Sequence, residues 1–307
     1  MHIVIPESIL PNAIEKLTLE HSVHYDPDLV GKPDELLRAV ETADALIVRR
    51  LTQVKGELLS AMPRCKVVGR LGVGLDNIDT LTCSARGIAV IPALGANARS
   101  VAEYVIAAAM MLLRGAYHST EEVVDGAWPK ERLNLGREVA GKTLGVVGFG
   151  SIGRVTAELA EAVGMQVVVH DVSDSNDPVG VRYRRLSLES LLACSDVVTL
   201  HVPLTEQTRA LMDTARIRGM KPGAVLINAA RGGIVDDEAL VAALRTGHLG
   251  GAAIDAFERE PLVASPQYRG LKNLILTPHI AGVTRESEAR VTELVVDRVL
   301  EVLRELA

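Results

Sequence analysis

The chain has 307 residues, 48% apolar and only 3% aromatic, so it exceeds one ordinary core and must fill its interiors with Val, Leu, Ile and Ala. Few aromatic rings argue against recognition of nucleic acid by base stacking, and 33 basic against 39 acidic residues, a net charge of -6, leave no field to attract a phosphate polymer. The longest unbroken apolar run, Tyr104 to Leu113, is about half a membrane span, and no charged n-region with an apolar h-region opens the chain, so a cytoplasmic protein is expected.

In chain order, short β-branched runs alternate with helical stretches. HIVIP at Met1 to Pro6, ALIVR ending at Arg49, CKVVGRL ending at Leu71 and IAVIP ending at Pro92 form a first set. TLGVVG at Thr143 to Gly148, QVVVHD ending at Asp171, DVVTLHVP ending at Pro203, AVLINAA ending at Ala230, GAAIDAF ending at Phe257 and LILTPH ending at His279 form a second. Such alternation builds βαβ units, so the expected class is α/β with two doubly wound parallel sheets. Between the sets a helix starts near Asn97, where Ser100 and Glu103 have capping-box spacing and Val101, Tyr104, Val105, Ala108 and Leu112 share one face. A last amphipathic helix entered at Thr284, with Val291, Leu294, Val295, Leu303 and Leu306, is expected to return to the first domain. The expected domains are therefore 1–96 with 284–307, and 97–283. Ser173 to Gly180, rich in Asp, Asn and Pro, is a surface loop, and no fixed-period repeat is present. Cys65, Cys83 and Cys194 lack the close spacing of a zinc or redox motif and are taken as small core residues, so no metal site is expected.

The strongest motif, Gly148-Phe149-Gly150-Ser151-Ile152-Gly153, follows a strand and opens a helical pattern. Gly148 permits the tight turn, Gly150 lets the backbone approach a pyrophosphate, Gly153 lets helix pack on strand, and the helix start presents N–H groups to the anion. Asp171 ends the next strand, 21 positions after Gly150. There a carboxylate accepts hydrogen bonds from the ribose hydroxyls and repels a 2′-phosphate, so NAD is preferred to NADP. Arg182, Arg184 and Arg185 stand close by in sequence; such a run is either a solvated face or a cradle for that 2′-phosphate.

Polar residues cluster at the expected strand ends of the second set: His201 in HVPLT, Asn228 to Arg231 in NAARGG, Asp255 in IDAFEREP, Glu260 soon after, and His279 in TPHIAG. Ligands of open α/β sheets bind beyond the carboxyl ends of strands. Arg231 offers a guanidinium fork to a carboxylate and its neighbouring carbonyl. Any of the eight histidines alone is more often structural than catalytic. With a carboxylate partner, for which Glu260 is the natural candidate, His279 can hold a proton on one ring nitrogen and deliver one from the other.

Val147 to Arg154, HVPLT, NAARGGIVD, DAFEREP and TPHIAG, together with GRLGVGLDNID and NARSVAEYV, resemble in this order the D-isomer-specific 2-hydroxyacid dehydrogenases over nearly the whole chain. The resemblance implies a flavodoxin-like substrate domain completed by the C-terminal helix, and a Rossmann domain for NAD. It implies Arg231, Glu260 and His279 as the catalytic set, with Arg231 and His279 also touching substrate and cofactor, and Asp255 on the nicotinamide carboxamide. Ser151, Ile152, His201, Val202, Pro203, Ala229, Ala230 and Gly282 would line the cofactor. The substrate carboxylate would rest on backbone N–H groups of Gly72, Val73 and Gly74. A homodimer through the helix and arm of 98–141 is implied too. The chain is short beside phosphoglycerate dehydrogenases with regulatory C-terminal domains, so no such domain is expected.

Arg49 and Arg70 stand where those enzymes contact phosphate, and where the family often reads Arg-Ser-x-Thr this chain has Arg49-Arg50-Leu51-Thr52. The extra Arg50 favours a substrate with a second anion on C3, of the 3-phosphoglycerate or sulfolactate kind; arginines at strand ends are also often structural. Glyoxylate or hydroxypyruvate reduction is the rival within this chemistry. Some corepressors resemble the same family, so an NAD-sensing binding protein is the alternative from another class.

Overall fold

The computed structural model describes residues 1–173 and 182–306, which form two compact units: Met1–Asn97 together with the residues from Val283 on, and Ala98–Gly282. In the first unit, β1 (His2–Ile5), β2 (Ser22–Tyr25), β3 (Ala45–Val48), β4 (Val67–Arg70) and β5 (Ala89–Pro92) make a parallel sheet ordered β2-β1-β3-β4-β5. The central strands are unbroken apolar runs because both faces are covered. Ile3, Ile5, Ala45 and Ile47 pack against the last helix through Val295, Val299 and Leu303, while Val4, Leu46 and Val48 meet Leu36, Val40 and Met62 on the other face. β2 is absent from the expected strands. As an edge strand reading Ser-Val-His-Tyr with alternating exposure, it carries no apolar run to betray it.

The last helix, Arg285–Glu305, is capped by Thr284, whose side chain accepts from the Ser287 N–H in a reciprocal capping box. Leu306, expected on its inward face, lies past its end and is exposed, because the inward stripe closes at Leu303. Gly69 on β4 lets the helix settle: a Cβ there would stand 2.8 Å from methyl groups of both Val295 and Val299.

In the second unit β6 (Thr143–Val147), β7 (Gln166–His170), β8 (Arg184–Arg185), β9 (Val197–Leu200), β10 (Ala224–Asn228), β11 (Leu249–Ile254) and β12 (Leu274–Leu276) form a parallel sheet. Its order is β12-β11-β10-β9-β6-β7-β8, so the strand order reverses between β6 and β9. The helix Ala98–Arg114 buries Val101, Val105, Ala108 and Leu112 as its periodicity demands. It starts ahead of Ser100, which therefore sits inside the first turn, so the expected Ser100–Glu103 capping box is not its N-terminus.

Cys65 and Cys83 are buried, but Cys194 is exposed, contrary to expectation. It ends a helix, Leu188–Cys194, whose inward stripe runs through Leu188, Leu191 and Leu192. Of the expected loop Ser173 to Gly180, all but Ser173 lies outside the described residues. Among the described residues no helix is long and apolar enough to cross a membrane.

Replacing Gly69 with Ala should lower stability by roughly 1–3 kcal/mol, the usual result of adding a methyl to a filled core. A chemical denaturation midpoint equal to the parent's would show that the helix is not seated this closely.

Candidate functional site

In the second unit the carboxyl ends of β6 and β9 flank the reversal of strand order, where open sheets leave a crevice. The glycine turn after β6 lies there. Gly148 has φ of +93°, and a Cβ on it would stand 2.6 Å from the His201 carbonyl oxygen and 2.9 Å from Val202 Cγ1. A Cβ on Gly153 would stand 2.2 Å from the Gly148 carbonyl oxygen, so the helix can approach the turn only through a glycine. Around Gly150 the Cβ position is open to 4 Å. Gly150 caps the helix Ser151–Ala162 with no side chain bonded to its first N–H groups. Ser151 and Ile152 form its first turn. A close backbone turn, a helix start and unobstructed space over Gly150 fit the diphosphate of a dinucleotide.

Asp171, just past β7, takes hydrogen bonds from the Phe149 N–H at 2.6 Å and from the Ser173 N–H at 2.8 Å and hydroxyl at 2.7 Å. Burial works to raise its pKa, but these donors and the nearby Arg185 charge outweigh it and hold the carboxyl below its ordinary value. The same aspartate thus fixes the glycine turn. Arg185 donates to the Ser173 carbonyl at 2.9 Å, whereas Arg182 pairs with Glu161 at 2.7 Å, so the arginine run is divided between two neighbours. His201 follows β9 directly, with Nε2 3.1 Å from the Thr199 hydroxyl, and burial pushes its ring down to about 4, so it is neutral near pH 7. Pro203 follows Val202 on the exposed side.

At the carboxyl ends of β10, β11 and β12 the polar residues meet. His279 Nδ1 lies 2.9 Å from both oxygens of Glu260, and Glu260 Oε1 also accepts from the Phe257 N–H at 3.0 Å. A carboxylate can only accept here, so Nδ1 carries the proton and Nε2 is the nitrogen left for chemistry. His279 has φ of +56°, a left-handed conformation that a non-glycine residue adopts only when its surroundings demand it. Asp255 makes the demand. It is 1% exposed, and its oxygens accept from the N–H groups of Ile280 and Ala281, each at 2.8 Å, and from the Thr277 hydroxyl at 2.6 Å. Tyr104, on the helix Ala98–Arg114, stands 2.7 Å from the Thr277 hydroxyl. Burial pushes its phenol up, so it stays protonated and donates to Thr277. Gly282 follows directly on the clamped segment.

Arg231 lies on the turn after β10, beyond the half-buried Ala229 and the buried Ala230. Asn228 organises this turn: its amide nitrogen donates to the Arg231 carbonyl at 2.9 Å and its amide oxygen accepts from the Ala230 N–H at 3.1 Å. Gly232 presses on the segment that carries Glu260, where a Cβ would stand 1.9 Å from the Phe257 carbonyl carbon. The structure thus brings Glu260, His279 and Asp255 together and seats the Arg231 turn on their segment.

The first unit presents its own carboxyl edge. Arg70 ends β4, and Gly72 makes room for it, since a Cβ there would stand 1.5 Å from a guanidinium nitrogen. The Gly72 N–H donates to the Arg70 carbonyl at 2.7 Å, which engages it locally; Val73 and Gly74 follow on the same loop. Arg49 donates from Nε to the Ser8 carbonyl at 2.7 Å and pairs with Glu288, while Arg50 beside it is exposed. Among the described residues no group of three His, Cys, Asp or Glu side chains is placed to hold a metal ion.

Residues 106–281 match the family model described as D-isomer specific 2-hydroxyacid dehydrogenase, NAD binding domain. The chain is 49% identical over 299 residues to (S)-sulfolactate dehydrogenase of Chromohalobacter salexigens, covering 97% of this chain and 96% of that protein. It is 35% identical to D-3-phosphoglycerate dehydrogenase of Archaeoglobus fulgidus, over 100% of this chain and 58% of that protein. The crystal structure of a glyoxylate reductase from Paecilomyes thermophila superposes with a TM-score of 0.89 at 29% identity, covering 98% of this chain and 94% of that one.

From the residues alone, Thr277 and Gly232 have no role in the site and Tyr104 is placed only on a helix face. Gly232 had a signal, the doubled glycine after Arg231; the other two are recognisable only from the fold. Replacing Gly232 with Ala must displace backbone by about 1 Å and should lower kcat for 2-oxo acid reduction roughly a hundredfold. A kcat within twofold or so of the parent's would show that the Arg231 and Glu260 segments do not depend on this contact.

Proposed function

The chain belongs to the D-isomer-specific 2-hydroxyacid dehydrogenases, and on that premise we propose that it interconverts a 2-hydroxy acid bearing an anionic group on C3 with its 2-oxo acid, using NAD in preference to NADP. It is an oxidoreductase acting on a CH–OH group with a nicotinamide cofactor. The observation that carries the chemistry is the contact of His279 Nδ1 with both Glu260 oxygens.

When bound, the cofactor supplies the hydride for reduction and accepts it in oxidation. Gly148 to Gly153 and Asp171 would hold it. His279 Nε2 gives a proton to the substrate carbonyl oxygen in reduction and takes one from the hydroxyl in oxidation, with Glu260 keeping the ring in the competent tautomer. Arg231 grips the acid and polarises the carbonyl, and the N–H groups of Val73 and Gly74 serve the substrate carboxylate, that of Gly72 being bonded to the Arg70 carbonyl. Asp255, Thr277 and Tyr104 hold the left-handed turn that aims His279.

Two observations favour an anion on C3. Arg50, where the family often has serine, is exposed on the turn after β3, and the relative at 49% identity acts on sulfolactate. The (S) descriptor in that relative's name agrees with D-isomer handedness. Sulfur on C3 ranks that arm above the carboxylate, so the spatial arrangement called D, and labelled R in lactate, is labelled S in sulfolactate. A sulfonate is therefore the favoured C3 group, a phosphate the second. The NAD preference rests on Asp171, whose carboxylate repels a 2′-phosphate, and a cytoplasmic location goes with use of that cofactor pool. Homodimerisation rests on the arm after the helix Ala98–Arg114, where Tyr117, Val124, Trp128 and Leu135 are exposed, Trp128 by 79% and Leu135 by 81%.

Assayed with NADH and NADPH against 3-sulfopyruvate, 3-phosphohydroxypyruvate, hydroxypyruvate, pyruvate and glyoxylate, the protein should show its highest kcat/KM with 3-sulfopyruvate and NADH. A higher value with glyoxylate or hydroxypyruvate would overturn the C3-anion assignment in favour of a reductase of those acids. Replacing Glu260 with Ala removes the acceptor that fixes the Nδ1–H tautomer of His279, so kcat for reduction should fall at least tenfold or so while NADH binding changes little; an unchanged kcat would count against the pair. Replacing Trp128 with Glu should yield a monomer by sedimentation where the parent is a dimer, and a monomeric parent would refute the dimer outright.

A further inference from the structure

In the first unit the loop after β4 carries the N–H groups assigned to the substrate carboxylate. Its entry is fixed by the sheet. The Leu71 N–H donates to the Val48 carbonyl at 2.8 Å, the Gly72 N–H to that of Arg70 at 2.7 Å, and the Gly72 carbonyl accepts from the Ala93 N–H at 2.8 Å. Among the described residues no protein acceptor takes the N–H groups of Val73 and Gly74. They follow the last residue anchored in this way, so their direction depends on how the loop is held at its far end.

Asn77 holds that end. It is 5% exposed, and its amide nitrogen donates to the carbonyls of Arg49 at 3.0 Å and Thr52 at 2.7 Å, which commits both of its hydrogens to the turn after β3. Backbone bonds run alongside: the Val54 N–H donates to the Asn77 carbonyl at 2.8 Å and the Asp79 N–H to that of Val54 at 3.0 Å, a parallel bridge between Val54 and Ile78. The end of the loop after β4 is thereby joined to the turn after β3.

That turn has left the sheet, so no strand can bond its N–H groups. Glu7, two residues past β1 and 4% exposed, takes them instead. Its Oε1 accepts from the N–H groups of Arg49 at 2.9 Å and Thr52 at 3.0 Å, and its Oε2 from that of Leu51 at 3.1 Å. Three converging donors call for a side chain that only accepts, and a glutamine would turn an NH2 group toward at least one of them. β1, β3 and β4 are neighbours in the sheet in that order, and the carboxyl ends of β1 and β3 flank the reversal of strand order, where such sheets take ligands. The brace thus crosses three adjacent strand ends, from Glu7 through residues 49–52 to Asn77, and finishes on the loop that bears Val73 and Gly74.

We propose that Asn77 and, behind it, Glu7 are positioning residues for the substrate carboxylate: they set the loop after β4 so that the N–H groups of Val73 and Gly74 meet that group. This rests on the assignment of the loop to the carboxylate made above. Neither side chain touches substrate. Every 2-oxo acid has the same carboxylate, so both residues act on all such substrates alike, whatever stands on C3.

The test measures kcat and KM for 3-sulfopyruvate and for glyoxylate, both with NADH, and the Kd of oxamate, an unreactive mimic of a 2-oxo acid, for the protein loaded with NADH. The proteins compared are the parent, Asn77→Ala, Glu7→Gln, and Val73→Pro, which removes one of the two N–H groups. Asn77→Ala and Glu7→Gln should each raise both KM values and the Kd of oxamate roughly tenfold, with kcat within about threefold of the parent's, as expected when a contact shared by ground state and transition state is displaced. The Kd of NADH alone should not move. A fall in kcat with KM and oxamate binding unchanged, which a smaller folded fraction would also produce, overturns the inference and leaves both residues as contributors to stability; so does the absence of any change. Should Glu7→Gln fail to fold, Asn77→Ala decides alone. If Val73→Pro raises KM and the Kd of oxamate and the Asn77 and Glu7 variants do not, the positioning role fails while the carboxylate assignment stands. If Val73→Pro leaves both unmoved, the assignment fails and the inference with it.

Discussion

Carboxylates that accept backbone N–H groups organise three of this protein's loops. A parallel sheet sends its loops out at the carboxyl edge with N–H groups that no neighbouring strand can bond, and buried donors must be satisfied. Glu7 after β1, Asp171 after β7 and Asp255 after β11 each stand where a strand ends and take hydrogen bonds from a turn belonging to another segment. The acidic surplus of the chain is in part this: negative charge spent inward on peptide dipoles. It leaves the arginines to face anionic ligands close at hand, with no broad positive surface to help.

The three carboxylates differ in what they hold. Asp171 holds the turn that would receive a diphosphate, and the donors converging on it favour the ionised state suited to ribose hydroxyls. Asp255 holds His279 in a backbone conformation it would otherwise avoid, with Thr277 and Tyr104 extending the support. Resemblance to the family suggested the nicotinamide as its partner; in the structure both of its oxygens serve the turn. Catalytic groups gain most when their geometry is set before the substrate arrives, and a strained turn kept in place by buried hydrogen bonds does that.

Much of this was legible from the residues. Unbroken Val, Ile, Leu and Ala runs announced the central strands, and the glycine spacing after β6 with Asp171 beyond announced the dinucleotide turn. Glu260 and His279 were paired by chemistry alone. Two of the edge strands are not legible: Ser22–Tyr25 and Arg184–Arg185 carry no apolar run, whereas the edge strands β5 and β12 do. Cys194 and Leu306 were misplaced because each stands at a helix terminus, where periodicity stops deciding which way a side chain points. The roles of Glu7 and Asp255 could not be read at all. A carboxylate's N–H partners are set by which loops the fold brings together, here 42 and 25 positions away in the chain.

The seating of the last helix on Gly69 bears on the order in which the protein can be made. Residues 98–282 form an unbroken stretch and have all their own sheet once synthesis reaches the end of β12. The first sheet emerges earlier yet waits for Val295, Val299 and Leu303 to cover Ile3, Ile5 and Ile47. Until then one apolar face of a nascent sheet has no native cover, so the part of the chain that leaves the ribosome first finishes last, and a chaperone would find its work there.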